Sequence, residues 1–501
     1  MRNSILLTAS LLGVCAAQAG SKTWFTPLTE SAPVTSPNSL EETASPWVTP
    51  EGIAQWNALS LREVEDTVLS PLQSIVRVDA GGSSSMIDML AYDPTGSYLF
   101  LPHETPFGAG ASRHSIADNF TEVIFQGDGK GATGDYSNDY GAFDPARFTP
   151  NGTLFLGEEW SGTGRIVEIM NPMAPAEEIE HRVLESIANV SHEGINFSKD
   201  GNMIYYVDEW NSGSIYRFVM KTKGDYTRGQ TEVLSVNDFI SSGGDPSANW
   251  NQQAEGVVRE GEATWIPLTD ENGVPLPGIT DPFRDGPTND PRENNDTRGG
   301  RPAADDAGAT PFGRPEDMAV GRLANGRSVI YFTATSENKV YSIEMGHRRF
   351  KDRHFNKAIV RTFISSESPK NVGFEPTTGV LNSPDNLAID ALGNIYVIED
   401  APNGSSTGGD IWMVRDTDSD GVGESLDHFM SIRVDGSEAT GMIWNPAIPT
   451  EFAVAVQHPD STDLDNVPDG LGDAVWLFDI SHIDNEKFLK NLNKARPIFG
   501  E

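Results

Sequence analysis

A strand–turn–strand phrase that recurs along the chain restricts its fold more than any other feature. From Ser383 to Asp400, the acidic residue Asp385 leads into two apolar segments that are separated by a turn at Gly393. Apolar residues with a period of two on either side of a glycine-bearing turn predict a β-hairpin. In four copies the acid lies eight residues before the turn glycine. The leading acids of the six copies are Asp88, Asp144, Glu193, Glu316, Asp385 and Glu438.

Several copies continue into a further strand, as at 164–169, 213–219 and 409–415. Repeated units of three or four short strands predict an all-β fold, a six-bladed β-propeller packed radially around a channel. Equivalent positions of the blades then lie at one height near the axis, so the leading acids would form a ring of carboxylates. Such a ring needs cations, because unpaired buried charges are costly. We therefore predict metal ions in the central channel. The alternative is that the acids are turn caps that face solvent.

The charge of the chain excludes several classes of partner. It has 36 basic and 73 acidic residues and a formal net charge of −37. Nucleic-acid binding requires a basic footprint, which this composition does not provide. Acidity of this size is typical either of a solvated secreted surface or of cation binding. We expect no nucleic-acid partner, no membrane span and a monomer.

The N-terminus predicts export. An apolar run over 5–14 precedes the small-residue site Ala17-Gln18-Ala19, as in a secretory signal peptide, which we place at 1–19. We expect a secreted or periplasmic protein. The single cysteine, Cys15, lies in this segment, so the mature protein should contain no disulfide.

The remaining chain divides into an N-terminal extension over 20–75 and a propeller domain over 76–501. Residues 240–312 interrupt the repeat with a long insertion that is rich in Gly, Pro, Asn and Asp. A structureless loop of this length is usually a functional lid or a mobile segment. Trp265 and Leu268 indicate that part of it packs against the ring.

One arginine stands beside a leading acid. Arg314 lies two residues before Glu316, and only one of the six copies carries an arginine at this place. A guanidinium fork can pair with two phosphate oxygens, so Arg314 and Glu316 are candidate catalytic residues. The alternative is that Arg314 only neutralises Glu316. The chain has no nucleophile elbow or Walker loop, which favours a metal-bound oxygen as the nucleophile. We interpret His192 and His458 as structural residues.

A second acidic site is predicted from local spacing. Asp416, Asp418 and Asp420 occupy positions one, three and five of a stretch that resembles an EF-hand calcium loop, and Asp427 occupies position twelve. No helices flank it, so we predict a structural calcium site at the rim of the propeller. The alternative is a solvated acidic turn.

The combined motifs resemble the PhoX-type alkaline phosphatases, which are secreted six-bladed propellers with calcium and iron in the central channel. The segments that carry the resemblance are TPNGTLFLGEE (149–159), SHEGINF (191–197), GATPFGRPED (308–317), SPDNLAID (383–390), SEATGMIWNP (437–446) and QHP (457–459). The resemblance implies that Glu193 and Glu316 bind metal, that Arg314 contacts phosphate, and that Glu158 and Glu159 lie beside the metal site. It also implies hydrolysis of a small phosphate ester.

The chain departs from the family pattern at Asp144, where better-known members carry a cysteine that binds iron. A hard oxygen ligand favours calcium, magnesium or manganese more than a thiolate does. We expect calcium and a second metal, iron or manganese. Two other functions stay open, namely a calcium-dependent lactonase-like propeller and a non-catalytic calcium-binding propeller.

Overall fold

A computed structural model describes most of the region after residue 86. The described residues are 23–31, 33–34, 87–118, 120–160, 164–283, 299–346, 356–400, 409–431, 433–434, 438–457, 474–481, 483 and 485–495. The predicted signal peptide, most of the predicted extension and His458 lie outside this set, as does the side chain of Glu438.

Antiparallel β-strands make up most of the regular secondary structure in the described residues. The strands before the insertion are β1 (Pro33–Val34), β2 (Ala91–Tyr92), β3 (Tyr98–Pro102), β4 (Gly110–Ser115), β5 (Phe120–Gln126), β6 (Phe143–Phe148), β7 (Leu154–Glu158), β8 (Ile166–Ile169), β9 (His181–Val183), β10 (His192–Phe197), β11 (Met203–Asp208), β12 (Ile215–Met220) and β13 (Gly229–Val236). The later strands are β14 (Gly261–Pro267), β15 (Pro315–Arg322), β16 (Ser328–Ala334), β17 (Lys339–Met345), β18 (Lys357–Ser365), β19 (Pro384–Ile389), β20 (Ile395–Glu399), β21 (Asp410–Arg415), β22 (Ser425–Ser431), β23 (Arg433–Val434), β24 (Glu438–Trp444), β25 (Glu451–Gln457) and β26 (Ala474–Asp479). The described α-helices are α1 (Gly300–Ala307) and α2 (Glu486–Leu492).

These strands follow one another as up-and-down units. The units β2–β5, β6–β9 and β19–β22 are separate four-stranded sheets, and β24–β26 form a three-stranded sheet. The units β10–β13 and β15–β18 share a nine-stranded sheet, in which β14 joins β13 to β18. The turn glycines of the hairpins have positive φ, for example 81° at Gly152 and 88° at Gly393, a conformation that glycine adopts without strain.

The first strand of each unit contacts the first strand of the next unit. These contacts run from β2 to β6, β10, β15, β19 and β24. The ring closes where Thr440 Oγ1 on β24 donates a hydrogen bond to Ile87 O, at 3.2 Å, just before β2. Apolar side chains fill the space between neighbouring sheets, as in the cluster that contains Tyr396, Phe429 and Phe452. The prediction of an all-β, propeller-like fold is confirmed.

The described parts of the 240–312 segment are not structureless. They contain β14 and α1, and both Trp265 and Leu268 are fully buried. The burial of these two apolar side chains anchors the described part of the segment to the ring. No helix in the described part of the chain has the length and apolar character needed to cross a membrane.

Part of the predicted N-terminal extension belongs to the core. Trp24 is 7% exposed, stacks on Phe488 with ring centroids 4.1 Å apart, and donates a hydrogen bond from Nε1 to the Tyr396 hydroxyl at 3.1 Å. The stacked ring ties the N-terminal segment to helix α2, and the hydrogen bond ties it to β20.

We expect Trp24→Ala to lower the free energy of unfolding by about 3–5 kcal/mol, because it removes a large buried ring and leaves a cavity. Denaturant unfolding measures this change. Phe120→Ala is the control, because Phe120 is 58% exposed and its loss should have little effect. Equal changes for the two variants would contradict this packing.

Candidate metal centre

β-Bulges direct the leading acids of four units. The pairing register shifts within β6, β10, β15 and β19, at the place where each leading acid lies. A bulge bends its strand and re-aims a side chain, and bulges are common beside active sites. The acids at these bulges are Asp144, Glu193, Glu316 and Asp385.

The acids converge in two groups. Within each group the three residues offer oxygen atoms that all lie within 4.8 Å of one another. One group is Asp88, Glu104 and Asp144; the other is Glu193, Glu316 and Asp385. All of these side chains except Glu104 are buried. Asp144 Oδ1 is buried and makes no hydrogen bond with the described residues. Ionised carboxylates this close and this buried need a cation, so the residues present fit a metal centre.

The two groups act on each other electrostatically. Burial raises the pKa of Asp144 well above its usual value, and Asp88 and Glu104 raise it further. Burial also raises the pKa of Glu193, with the next contribution from Asp144 in the other group. Burial raises the pKa of Glu316 to about 8 against the opposing charge of Arg314. The carboxylates therefore form one continuous acidic region.

These shifts predict how pH affects the metal-free protein. The pKa of Glu316 is about 8 in the folded chain against 4.5 in an unfolded one, and burial also raises the pKa of Asp317, from 3.8 to about 6. The folded state therefore binds more protons, and stability falls as pH rises from about 4 to about 8. We expect the Tm measured in EDTA to be lower at pH 8 than at pH 5. Calcium should reduce this difference, and a Tm that rises with pH would contradict the prediction.

Arg314 is held by acids from three units. Its Nε contacts Glu209 Oε1 and lies 3.1 Å from Glu316 Oε1, while Nη1 lies 3.9 Å from Asp400 Oδ2. Its backbone has φ of 50°, and its N–H donates to Trp210 O at 3.0 Å. Glu316 and Glu209 raise the pKa of the guanidinium, which stays charged. The side chain is 39% exposed, so it remains accessible from solvent.

The second strand of a hairpin supplies acids that the sequence analysis did not select. Glu104 joins the first carboxylate group, and Glu209 and Asp400 contact Arg314. Glu159, which the family resemblance did place beside the metal site, lies close enough to Glu209 and Glu104 for both to raise its pKa, although burial is the larger cause. The signal for these residues was available, because several of the second strands end in one or two acids.

Glu158 does not join Glu159 at the centre. Both of its carboxylate oxygens accept hydrogen bonds from Arg165, at 2.6 and 2.8 Å, and Oε1 also accepts one from Gly141 N. Glu158 is therefore a structural ion-pair residue, and we remove it from the predicted metal ligands. The reason is the alternation of a β-strand, in which adjacent side chains point to opposite sides.

The candidate ligands in the predicted calcium loop also differ from those expected from the sequence. Oxygens of Asp416, Asp418 and Glu424 lie within 4.8 Å of one another. Asp427 instead accepts hydrogen bonds from Arg415 at 2.7 and 3.0 Å inside β22, and Asp420 Oδ1 caps Val422 N at 2.8 Å. We therefore remove Asp427 from the predicted ligands, whereas Asp420 lies outside the group of three and stays a predicted ligand. Calcium at this loop stays a prediction.

Two candidates from the sequence remain, His192 and Glu438. His192 is fully buried, and burial lowers its pKa to about 3, so it is neutral. Glu438 begins β24, but its side chain lies outside the described residues.

A cavity of about 1430 Å³ lies at the opposite end of the inner strands, lined by hairpin turns such as 149–152 and 198–201. The acidic region is therefore separate from this cavity.

The fold and its centre define a class, an all-β propeller with an acidic channel. Within this class, the alkaline phosphatase PhoX family matches the chain over residues 117–460. The chain belongs to this family of metal-dependent phosphoric ester hydrolases, and the resemblance inferred from its motifs is confirmed.

One solved structure supports the fold, and others align with it more weakly. Pseudomonas fluorescens PhoX in complex with vanadate, a transition-state analogue, aligns with a TM-score of 0.56 and 14% identity over 91% of this chain and 98% of that chain. A Xanthomonas campestris gluconolactonase aligns with a TM-score of 0.37 and 10% identity over 79% and 87% of the two chains. An aldose sugar dehydrogenase from Streptomyces coelicolor aligns with a TM-score of 0.38 and 11% identity over 78% and 93%. No curated protein matches the sequence significantly.

Proposed function

We propose that the protein is a metal-dependent phosphomonoesterase in which Arg314 binds the phosphoryl group of a small ester. The observation that carries this proposal is the position of a clamped, charged arginine 3.1 Å from Glu316, a member of the second carboxylate group. A phosphoryl group placed there would meet a cationic fork on one side and the carboxylate groups on the other. Without cations the carboxylates would repel it, so phosphate binding and metal binding belong to one proposal.

The two carboxylate groups are the candidate metal ligands. Asp88, Glu104 and Asp144 would hold one cation, and Glu193, Glu316 and Asp385 would hold another. Their hard oxygen atoms suit calcium or manganese, and iron remains a candidate for the second metal. Bound cations would supply Lewis-acid stabilisation of the phosphoryl oxygens and an activated nucleophile.

The protein's own contribution is to bind and orient the phosphoryl group. Nε of Arg314 is engaged by Glu209 and Glu316, whereas its Nη atoms make no hydrogen bond with the described residues. The two Nη groups can therefore donate to phosphate oxygens while Nε keeps the fork in place. This preorganised charge would be most favourable where negative charge develops on the phosphoryl group.

Export is part of the proposal. Members of the family are typically secreted or periplasmic, which agrees with the signal peptide predicted over 1–19. N-terminal sequencing of the mature protein should begin near residue 20, and retention of Met1 in an exported protein would contradict the assignment.

A direct assay separates the proposed function from its alternatives. The purified protein is loaded with calcium, manganese or iron, its metal content is measured, and p-nitrophenyl phosphate and a lactone are tested. Ester turnover that requires metal would support the phosphatase. Lactone turnover alone would favour the lactonase-like alternative. Bound calcium without turnover under any metal would favour a non-catalytic propeller.

A further inference from the structure

Helix α1 of the 240–312 segment carries a buried arginine, Arg301, which forms an ion pair with the last residue of β11. Arg301 Nε and Nη2 donate to the two carboxylate oxygens of Asp208, both at 2.7 Å. Both side chains are almost fully buried. The guanidinium also lies over the ring of Trp210, 4.7 Å from its centroid. Arg301 therefore fixes both residues that flank Glu209 in sequence.

Residues 208–210 make two hydrogen bonds with Arg314. Glu209 accepts a hydrogen bond from the side chain of Arg314, and Trp210 O accepts one from the backbone N–H of Arg314 at 3.0 Å. The backbone of Arg314 is left-handed, with φ of 50°. A non-glycine residue keeps this conformation only where its surroundings impose it, and such residues are common at functional sites. The contacts to Glu209 and Trp210 are part of that surrounding structure.

Helix α1 is itself attached firmly to the ring. Gly300 N donates to Asn189 O at 2.7 Å, in the segment that leads into β10. A Cβ at Gly300 would lie 2.7 Å from Val190, so the start of the helix is in close contact with that segment. At its other end, Ser235 Oγ donates to Gly308 O at 2.7 Å. A rigid path therefore connects the insertion to Arg314.

We propose that Arg301 is a positioning residue for Arg314, acting through Asp208, Glu209 and Trp210. The described part of the insertion thus fixes the geometry of phosphate binding. This inference rests on the proposed function, because it assigns the positioned guanidinium to a phosphoryl group. It gives the 240–312 segment a role that its sequence does not reveal.

The test compares Arg301→Lys and Glu209→Gln with Arg415→Lys in the metal-loaded full-length protein. Arg415 forms a largely buried bidentate pair with Asp427 in a different unit, so its variant measures the cost of disturbing such a pair. Calorimetric titration with orthophosphate gives Kd, p-nitrophenyl phosphate gives KM and kcat, and thermal unfolding gives Tm. Misplacing a substrate-binding group by about 1 Å can cost about 100-fold.

We expect Arg301→Lys and Glu209→Gln to raise the orthophosphate Kd by about 10-fold to 100-fold. The orthophosphate Kd of the double variant should be close to that of the single variant that binds more weakly, because both substitutions act on the same set of contacts. Arg415→Lys should lower Tm and leave Kd unchanged. Asp208→Asn weakens the same ion pair from its other side, so it takes the place of Arg301→Lys if that variant does not fold.

Two results would overturn the inference, and they are distinguishable. If the wild-type protein binds orthophosphate and Arg301→Lys binds it as Arg415→Lys does, the positioning role of Arg301 is wrong and the proposed function stands, whatever the effect of Glu209→Gln. If the wild-type protein neither binds orthophosphate nor hydrolyses the ester under any metal, the proposed function fails together with the inference.

Discussion

Replacing Arg314 with alanine is expected to lower kcat/KM for p-nitrophenyl phosphate by about 100-fold to 1000-fold, the usual cost of losing one preorganised donor to developing charge. In the metal-loaded protein we expect only a small fall in Tm, because the Arg314 side chain is 39% exposed. Arg314→Lys should recover only part of the activity. A lysine keeps the charge but cannot present two donors in a planar fork to the phosphoryl oxygens.

A matched control lies on β15, the strand that follows Arg314. Arg322 is exposed at the other end of β15, and Arg322→Ala should leave turnover unchanged. Metal content must be measured for each variant, because Arg314 neighbours Glu316. Full activity in an Arg314→Ala variant that retains its metals would show that the arginine only neutralises acids.

Removing bound cations is expected to destabilise the folded protein. A cation present at about 100 times its Kd stabilises the native state by about 2.7 kcal/mol if it does not bind the unfolded chain. Loss of cations also leaves the carboxylates of Asp144, Glu193 and Glu316 buried against one another. We therefore expect excess EDTA to lower Tm by several degrees at pH 8, and added calcium to restore it.

The carboxylate centre can be separated from other cation sites with one variant. Glu193→Gln removes a charge from the second group while keeping the side-chain shape, so it should reduce the effect of EDTA on Tm. Glu424→Gln changes the rim loop and tests the contribution of that loop in the same way. A Tm that excess EDTA leaves unchanged in the wild-type protein would contradict a cation-dependent centre.

The hairpins and their leading acids were predictable because the pattern that produces them is local. A period of two and a glycine at a positive-φ turn specify a hairpin within a few residues, as around Gly393. Convergence of Glu193, Glu316 and Asp385 then followed from the repeat, since equivalent positions of a ring meet near its axis. The bulges that turn these side chains were not predictable, because a bulge depends on pairing with the neighbouring strand.

The prediction that Glu158 binds metal is wrong because the sequence does not reveal the register between β6 and β7. In the structure Glu158 pairs with Phe143, the residue before Asp144. Cross-strand partners project from the same face of a sheet, so Glu158 shares the side of Phe143 and the next acid, Glu159, shares the other. The pairing of His192 with Asp208 follows the same rule. Sequence alone shows two adjacent acids and does not say which one faces the centre.

Arg314 belongs to a unit that lacks an acid at the end of its second strand. In the β15–β18 unit, Pro315 pairs with Ala334, so Thr335 stands where the neighbouring units have Glu209 and Asp400. Arg314 lies between those two acids. The nearest acid in sequence, Glu337, is paired with Arg259 through two hydrogen bonds. A gap of this kind is visible only after the units have been aligned in space.

The most direct test of the account is anomalous diffraction from crystals grown with calcium or manganese and then soaked with vanadate. We expect metal peaks bounded by Glu193, Glu316 and Asp385 and by the group that contains Asp144, with vanadate in contact with Arg314. An axis without metal peaks at saturating cation concentration, or vanadate bound away from Arg314, would contradict it.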